Sequence, residues 1–249
     1  MENLKFQIKS LHKSFDNHHV LRGIDLDIIK DNSLVILGGS GSGKSVLIKM
    51  MVGLLTPDSG SILYEGVETV GMDRSDRLSI LEDCGYLFQA GALFDSLTIQ
   101  QNIVFFARKL YDLNKNDLKD LAIRKLQSVG LPERVLNLFP SELSGGMQKR
   151  ASLARAICTD PKVIFFDEPT TGLDPIMSNI INDLIIKVRD ELGATTITIT
   201  HDMQSARRIG EQVAFLYEGK IVWYGQIGDL DQTDNVKLRQ FITGELPKS

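Results

Sequence analysis

Residues 38–45 read Gly-Gly-Ser-Gly-Ser-Gly-Lys-Ser, a composition and spacing suited to binding a polyphosphate. The glycines allow successive backbone N–H groups to point inward, and the helical run that follows adds a partial positive charge at its N-terminus. The Coulomb attraction between the Lys44 ammonium group and a phosphate charge about 4 Å away is on the order of 4 kcal/mol at an effective dielectric of about 20. The cost of desolvation reduces this value. We therefore predict a nucleotide site, with Lys44 at the β and γ phosphates and the Ser45 hydroxyl on Mg²⁺. The predicted binding residues here are Gly38, Gly39, Ser40, Gly41, Ser42, Gly43, Lys44, Ser45 and Val46.

Residues 143–147 read Leu-Ser-Gly-Gly-Met and precede a second helical run. The Ser144 hydroxyl and the N–H groups of Gly145 and Gly146, at a helix N-terminus, can bind a γ-phosphate. This segment resembles the signature sequence of the ABC ATPase family. The resemblance implies a head-to-tail dimer that encloses two ATP molecules, in which the signature of one copy completes the phosphate site of the other. Met147 stands where the family usually has Gln, which changes a side-chain contact but no backbone donor.

The apolar run 163–166 ends in Asp167 and Glu168, and this arrangement resembles the Walker B element of the same family. Mg²⁺ needs oxygen ligands, and the water that attacks the γ-phosphate needs an oxygen that accepts its proton. We expect Asp167 to hold the Mg²⁺ hydration shell and Glu168 to be the general base that orients and polarises the water. Adjacent strand residues face opposite sides, so both can serve one site only if the chain bends after Asp167. Pro169 favours such a bend.

Four further positions resemble family motifs, and their roles are implied by that resemblance. Gln89 resembles the Q-loop glutamine, which contacts Mg²⁺ and links the core to the helical lobe. His201 resembles the switch histidine, which contacts the γ-phosphate and stabilises transition-state charge. Residues 172–174, Gly-Leu-Asp, resemble the D-loop that signals across the dimer, and Phe15 is similar to the aromatic residue on which adenine stacks.

Periodicity and turn residues predict the elements that position these groups. Residues 98–159 have a helical period and are divided by Pro132 and Pro140, which indicates a helical insert. An amphipathic helix at 176–192 joins two strands, which implies a parallel sheet. The predicted strands are residues 4–10, 20–28, 34–37, 61–64, 163–166, 195–199, 213–217 and 221–224.

The expected fold class is therefore α/β. By resemblance it is a P-loop NTPase core of the RecA-like type, with an N-terminal antiparallel β subdomain and an inserted helical subdomain. We predict one ABC ATPase domain over residues 1–249. Residues 1–89 and 160–249 are assigned to the core with its β subdomain, and residues 90–159 to the helical subdomain that carries the signature.

Composition narrows the function classes. The chain has 249 residues and a net charge of −4, which disfavours a nucleic-acid partner. Its apolar runs are far shorter than the roughly 20 residues of a membrane helix. The N-terminus lacks the apolar segment of a secretory signal, so we expect retention in the cytoplasm, where Cys84 and Cys158 would be reduced thiols.

Residues 88–98, Phe-Gln-Ala-Gly-Ala-Leu-Phe-Asp-Ser-Leu-Thr, lie where ABC ATPases receive the coupling helix of a permease. This run is similar to that of the Mla-type lipid-transport ATPases, and the tail at 241–245 is similar to theirs too, although it ends soon after Pro247. The resemblance implies phospholipid transport across the envelope of a diderm bacterium, from the cytoplasmic face of the inner membrane. The implied partners are a second copy, a transmembrane permease, an MCE lipid-binding subunit and a STAS-domain regulator, and the implied cofactors are ATP and Mg²⁺.

Other classes fit the sequence less well. An ABC ATPase for another cargo, such as an organic solvent, an amino acid or a drug, stays open. A non-transport ABC ATPase of the DNA-repair kind would need a long coiled coil, and residues 46–142 show no sustained heptads. Residues 114–117, Asn-Lys-Asn-Asp, match a guanine-specifying element of GTPases, but they lie in the polar helical insert, and the signature together with His201 outweighs them.

Overall fold

The computed structural model describes residues 3–244, without the side chain of Arg74. Three short 3-10 helices, Glu133–Asn137, Pro140–Glu142 and Ile227–Gln232, accompany the main elements. In chain order the main elements are β1 (Leu4–Phe15), β2 (His18–Ile29), β3 (Ser33–Leu37), α1 (Lys44–Met51), β4 (Ser59–Tyr64), β5 (Val67–Glu68), α2 (Arg74–Glu82), β6 (Cys84–Leu87), α3 (Ile99–Ile103), α4 (Ala107–Leu110), α5 (Lys115–Ser128), α6 (Gly145–Ala156), β7 (Val163–Asp167), α7 (Pro175–Leu192), β8 (Thr195–Thr200), α8 (Met203–Ile209), β9 (Gln212–Tyr217), β10 (Lys220–Gln226) and α9 (Val236–Thr243).

The chain divides into two compact units. The first unit comprises Met1–Leu81 and Thr195–Ser249, and the second comprises Glu82–Ala194. The second unit groups β6, β7 and α7 with the helices of the predicted insert, so its limits differ from the predicted subdomain limits at residues 90 and 159. The assignment of core and helical subdomain stays a prediction.

The first unit contains two kinds of sheet. The antiparallel sheet has the order β2-β1-β4-β5. Elsewhere in the unit, β3 lies between β8 and β9, parallel to both, and β10 pairs antiparallel with β9. Every residue of β3 and β8 is buried, as expected for parallel strands covered on both faces. Buried hydroxyls link the two strands: Ser33 Oγ donates to the Ile209 carbonyl at 2.6 Å and accepts from Thr196 Oγ1 at 2.9 Å.

Strand β1 is longer than the strand predicted at residues 4–10, because it continues to Phe15. Ser10 has a φ of 45°, and the pairing with β2 shifts between Ile8 and Leu11, so a β-bulge interrupts the strand. The bulge breaks the apolar alternation, which is why the sequence pattern ends there. Phe15 is therefore a strand residue, paired with His18 at the end of the β1–β2 hairpin.

The second unit pairs β6 in parallel with β7, whose residues are all buried. Helices α3 to α6 lie between these strands in the chain, which confirms the helical character predicted for residues 98–159. Pro132 precedes one 3-10 helix and Pro140 begins the next, so the two prolines divide the region as predicted.

The Asn-Lys-Asn-Asp match at residues 114–117 has a structural explanation. Asn114 is the N-cap of α5, and its side chain accepts from the N–H groups of Asn116 at 2.9 Å and Asp117 at 3.1 Å. The Asp117 carboxylate in turn accepts from the Asn114 N–H at 3.4 Å. The residues that resemble a guanine-specifying element thus form a capping box.

Three sequence expectations concern membrane insertion, the cysteines and the tail. Among residues 3–244, no helix combines the length and apolar character needed to cross a bilayer.

Cys84 and Cys158 are both free, and burial raises the pKa of the Cys158 thiol to about 11, so it stays protonated and unreactive near neutral pH. Helix α9 is the last described element, so Glu245 and Pro247, on which the resemblance of the tail partly depends, lie outside the described residues.

Candidate active site

The phosphate loop, residues 38–45, connects β3 to α1 in the first unit. Gly41 and Gly43 have φ values of 75° and 104°, in the left-handed region that glycine adopts freely. A Cβ on Gly38 would lie only 2.5 Å from the carbonyl oxygen of Leu216 on β9. The curled, side-chain-free backbone expected from the glycines is therefore present.

The polar atoms of this loop fit an anionic ligand. Lys44 is buried, with 7% of its surface exposed, and its Nζ donates to the carbonyls of Gly38 at 2.8 Å and Gly39 at 3.0 Å. The Ser42 hydroxyl oxygen is buried and has no hydrogen-bond partner among the described residues. A buried ammonium group and an unpaired hydroxyl donor, in a glycine-rich loop before a helix, suit the oxygens of a polyphosphate.

The predicted Mg²⁺ ligands form a sparse donor set. They are the hydroxyl of Ser45 in the first unit and, in the second unit, the amide of Gln89 and the carboxylate of Asp167. Within residues 3–244 no group of three or more His, Cys, Asp or Glu residues is arranged to hold a metal ion. Mg²⁺ is commonly held by one or two carboxylates, retained waters and substrate phosphates. The donors of each unit, taken separately, therefore suit an ion whose remaining ligands are waters and nucleotide phosphates.

His201 directly follows β8 and is exposed. Thr200 pairs in parallel with Leu37, so His201 and the phosphate loop leave neighbouring strands at the same edge of the sheet. The side chain of Asp202 accepts from two N–H groups at the start of α8, at 3.0 and 3.1 Å. This cap fixes the backbone on one side of His201, and β8 fixes it on the other.

Phe15 lies at the end of β1 with 43% of its surface exposed, and Lys13 Nζ lies 5.4 Å from the centre of its ring. Its strand partner His18 lines a cavity of about 440 Å³, which is also bordered by residues 39–42 and by α9. Phe15 itself does not line that cavity. The stacking of adenine on Phe15 stays a prediction.

In the second unit, the predicted bend after Asp167 is present. Glu168 has a φ of 48°, which is rare for a residue with a side chain and is a conformation often found at functional sites. Asp167 and Glu168 are 6% and 8% exposed. Thr171 Oγ1 donates to Glu168 Oε2 at 3.0 Å. The backbone thus turns at the second carboxylate, and both side chains are held in buried positions.

Tyr86, which belongs to none of the predicted motifs, contacts the first of these carboxylates. It lies on β6 opposite Phe165, and its hydroxyl is 3.4 Å from Asp167 Oδ2. Burial, together with the negative charge of Asp167, raises the pKa of Tyr86 well above its ordinary value. The tyrosine is therefore a neutral hydrogen-bond donor to Asp167. Only the strand register reveals this contact, since 81 residues separate the two side chains.

The segment that carries Gln89 lies against α6. Lys149 Nζ donates to the Gln89 carbonyl oxygen, and the Arg155 guanidinium donates to the carbonyls of Gly91 at 2.7 Å and Ala92 at 2.6 Å. Neither cation belongs to a motif recognised in the sequence. Their separation of six residues on α6 is compatible with one helix face. The sequence alone does not show which segment that face contacts.

The signature segment begins the same helix. Ser144 is the N-cap of α6, and its exposed side chain accepts from the N–H of Met147 at 3.3 Å. A Cβ on Gly146 would lie 2.7 Å from the sulfur of Met177 on α7, so a larger residue here would displace that side chain. Residues 172–174 end at Asp174, which caps α7 by accepting from the Met177 N–H at 2.9 Å.

The structure therefore assembles the predicted residues in two groups. The phosphate loop and His201 share a sheet edge in the first unit. Gln89, the Walker B pair and the signature helix belong to the second unit, where hydrogen bonds join the Gln89 segment to α6. The chemistry expected of each group is phosphate binding in the first and activation of water in the second.

Comparison with known families agrees with these features. The family described as ABC transporter matches residues 21–171, which include the phosphate loop, the signature and the Walker B pair. The chain belongs to this family. It is accordingly an ABC ATPase domain, the ATP-hydrolysing subunit of a transporter.

Three relatives cover most of this ABC ATPase. Protein TRIGALACTOSYLDIACYLGLYCEROL 3, chloroplastic, of Arabidopsis thaliana is 38% identical, over 96% of this chain and 74% of the relative. The probable ribonucleotide transport ATP-binding protein mkl of Mycobacterium leprae is 37% identical, over 96% and 68%. The intermembrane phospholipid transport system ATP-binding protein MlaF of Haemophilus influenzae is 34% identical, over 96% and 90%.

A solved structure supports the fold. The ATP-binding cassette MJ0796, in a dimeric post-hydrolysis state bound to ADP and Pi, has a TM-score of 0.83 and 29% sequence identity to this ABC ATPase. The match covers 89% of this chain and 98% of that one. The predicted P-loop NTPase fold, with its antiparallel β sheet and parallel strands, is confirmed.

Proposed function

We propose that this ABC ATPase powers phospholipid transport across a bacterial envelope, through a membrane permease that it contacts from the cytoplasmic face of the inner membrane. The observation that carries the proposal is the similarity to MlaF over 90% of the length of that protein, whose name specifies intermembrane phospholipid transport. The run at residues 88–98 resembles Mla-type ATPases in the place where a permease would dock. An MCE lipid-binding subunit and a STAS-domain regulator are further partners in this proposal.

In the proposed reaction, the N–H groups and Lys44 of the phosphate loop bind the triphosphate and orient its γ-phosphate. Ser45, Gln89 and Asp167 would hold Mg²⁺, which neutralises charge on the transferred phosphoryl group when bound. Glu168 accepts a proton from the attacking water and orients it for in-line displacement. His201 donates to an oxygen of the γ-phosphoryl group, where negative charge is redistributed in the transition state, as the bond to the β–γ bridging oxygen breaks and ADP leaves.

Two copies of the chain are needed in this account. Ser144 and Gly145 are exposed at the start of α6, whereas Gly146 is buried, so the first two residues are accessible to a second copy's nucleotide. The related cassette MJ0796 has been solved as a dimer. We propose a head-to-tail dimer in which each signature faces the phosphate loop of the other copy.

The cargo is tested on the membrane complex purified from the native host through a tag on this chain. We expect a multispanning permease among the subunits identified by mass spectrometry, and phospholipid as the extracted ligand. After reconstitution into vesicles, the complex should transfer labelled phospholipid in an ATP-dependent manner. The matched control is the complex carrying Glu168→Gln, which should assemble and bind lipid without transferring it.

The name of the mycobacterial relative supplies the competing result. Co-purification of a ribonucleotide, with ATP-dependent movement of ribonucleotide and none of phospholipid, would replace the proposed cargo. Neither result changes the assignment of the chain as an ABC ATPase, because that assignment does not depend on the cargo.

A further inference from the structure

We propose that Lys149 is a positioning residue for ATP hydrolysis: it fixes the backbone at Gln89 against α6 and supplies a buried positive charge near Asp167 and Glu168. The inference rests on the roles proposed above for Gln89, Asp167 and Glu168. It goes beyond them because Lys149 belongs to no motif that the sequence analysis used. All the groups involved lie in the second unit, Glu82–Ala194.

The geometric basis is one face of α6. Lys149, Ser152 and Arg155 are spaced three residues apart, so their side chains lie along the same side of the helix. Lys149 and Arg155 donate to backbone carbonyls of the segment that carries Gln89. Between them, a Cβ on Gly91 would lie 2.7 Å from Ser152 Oγ, so that segment lies directly on the helix surface. Of these three contacts, only that of Lys149 is made to Gln89 itself, at its backbone carbonyl.

The electrostatic basis is the burial of a full charge. Lys149 is 7% exposed, and a buried ammonium group is stable only if its charge is compensated. Its ammonium group donates to the neutral carbonyl of Gln89, which compensates the charge only in part. Burial lowers the pKa of Lys149, and the charges of Asp167 and Glu168 act in the opposite direction. The two carboxylates therefore offset part of the cost of burying this charge.

The position of Lys149 on the helix gives these contacts a functional consequence. The same helix starts with the signature glycines, one turn before Lys149. A displacement of α6 would therefore move the Gln89 backbone and the charge that acts on Asp167 and Glu168 together. Without the ammonium group, the segment would lose one of its anchors, and the carboxylates would lose a fixed countercharge.

The test compares three substitutions in the purified chain. Lys149→Met keeps the length of the side chain but removes the charge and the donor, whereas Lys149→Arg keeps both. Lys149→Gln keeps a hydrogen-bond donor without the charge. It replaces Lys149→Met in the kinetic comparison if the methionine variant does not fold. We expect Met and Gln to lower kcat by about tenfold or more, with KM for ATP changed by less than about threefold, and Arg to stay within about threefold of the wild-type kcat.

Lys119→Met is the matched control, because Lys119 is exposed on α5 and its loss should leave kcat and KM unchanged. Thermal melting identifies folding defects. A wild-type kcat in folded Lys149→Met or Lys149→Gln would overturn the inference, as would Lys149→Arg being as impaired as Lys149→Met. Glu168→Gln is assayed alongside. If it loses turnover while Lys149→Met does not, only the inference fails; if it retains turnover, the proposed roles and the inference fail together.

Discussion

Replacing Glu168 with glutamine is expected to leave ATP binding intact and to lower the rate of hydrolysis by about 10²- to 10⁴-fold, the usual contribution of a general base. Glutamine has nearly the same shape as glutamate, and its amide oxygen can still accept the hydrogen bond from Thr171. It cannot accept a proton from water. The buried, left-handed backbone at residue 168 should therefore be preserved while the chemistry is lost.

The measurement is steady-state phosphate release together with binding of labelled ATP. Glu191→Gln is the control, since Glu191 is exposed near the end of α7 and the same change there should affect neither quantity. Size measurement in the presence of ATP adds a second readout, because ATP that is bound but not hydrolysed should hold two copies together. Near wild-type turnover in Glu168→Gln would remove Glu168 from the proposed role.

Replacing Lys44 with alanine is expected to weaken ATP binding by about 10- to 100-fold, as expected for loss of a charged hydrogen bond worth about 1.5–3 kcal/mol. The substitution removes the ammonium charge from the phosphate loop and leaves the carbonyls of Gly38 and Gly39 without the donor they have now. Both effects act on the loop that binds the triphosphate. Turnover should fall at least in proportion.

A titration with labelled ATP measures the affinity, and Lys49→Ala provides the control on the same helix. Lys49 lies outside the phosphate loop, so its loss should change the affinity little. Circular dichroism shows whether the fold is intact in each variant. Unchanged ATP affinity in a folded Lys44→Ala protein would contradict the assignment of residues 38–45 as the phosphate site.

The sequence predicted best those features in which the same residues determine both the backbone conformation and the chemical role. The glycines of residues 38–43 determine a curled loop without help from the rest of the chain. The bend at Glu168 was expected because two adjacent carboxylates on a strand cannot otherwise face the same way. The apolar run before His201 predicted a strand there, and β8 does end at Thr200, directly before the histidine.

Features that depend on register or on distant packing were missed. The continuation of β1 to Phe15 follows a bulge at Ser10, where the alternation of side chains is interrupted. Strand β5 has only two residues, too few to show a period, and α2 is too polar to stand out from a loop. Tyr86 and Lys149 lie near Asp167 only because of how β6 and α6 pack in the second unit.

The central claim is that the phosphate loop of one copy and the signature of another form one ATP site. It is tested by mixing two variants: a Lys44→Ala copy, whose signature is intact, and a Ser144→Arg copy that also carries Glu168→Gln and whose phosphate loop is intact. Ser144 is exposed, so the arginine can be accommodated in the free subunit. Occluded ATP is measured as nucleotide retained after desalting, with Glu168→Gln alone as the positive control. We predict retention by the mixture and by neither variant alone; retention by the Ser144→Arg copy alone, or none in the mixture, would contradict the account.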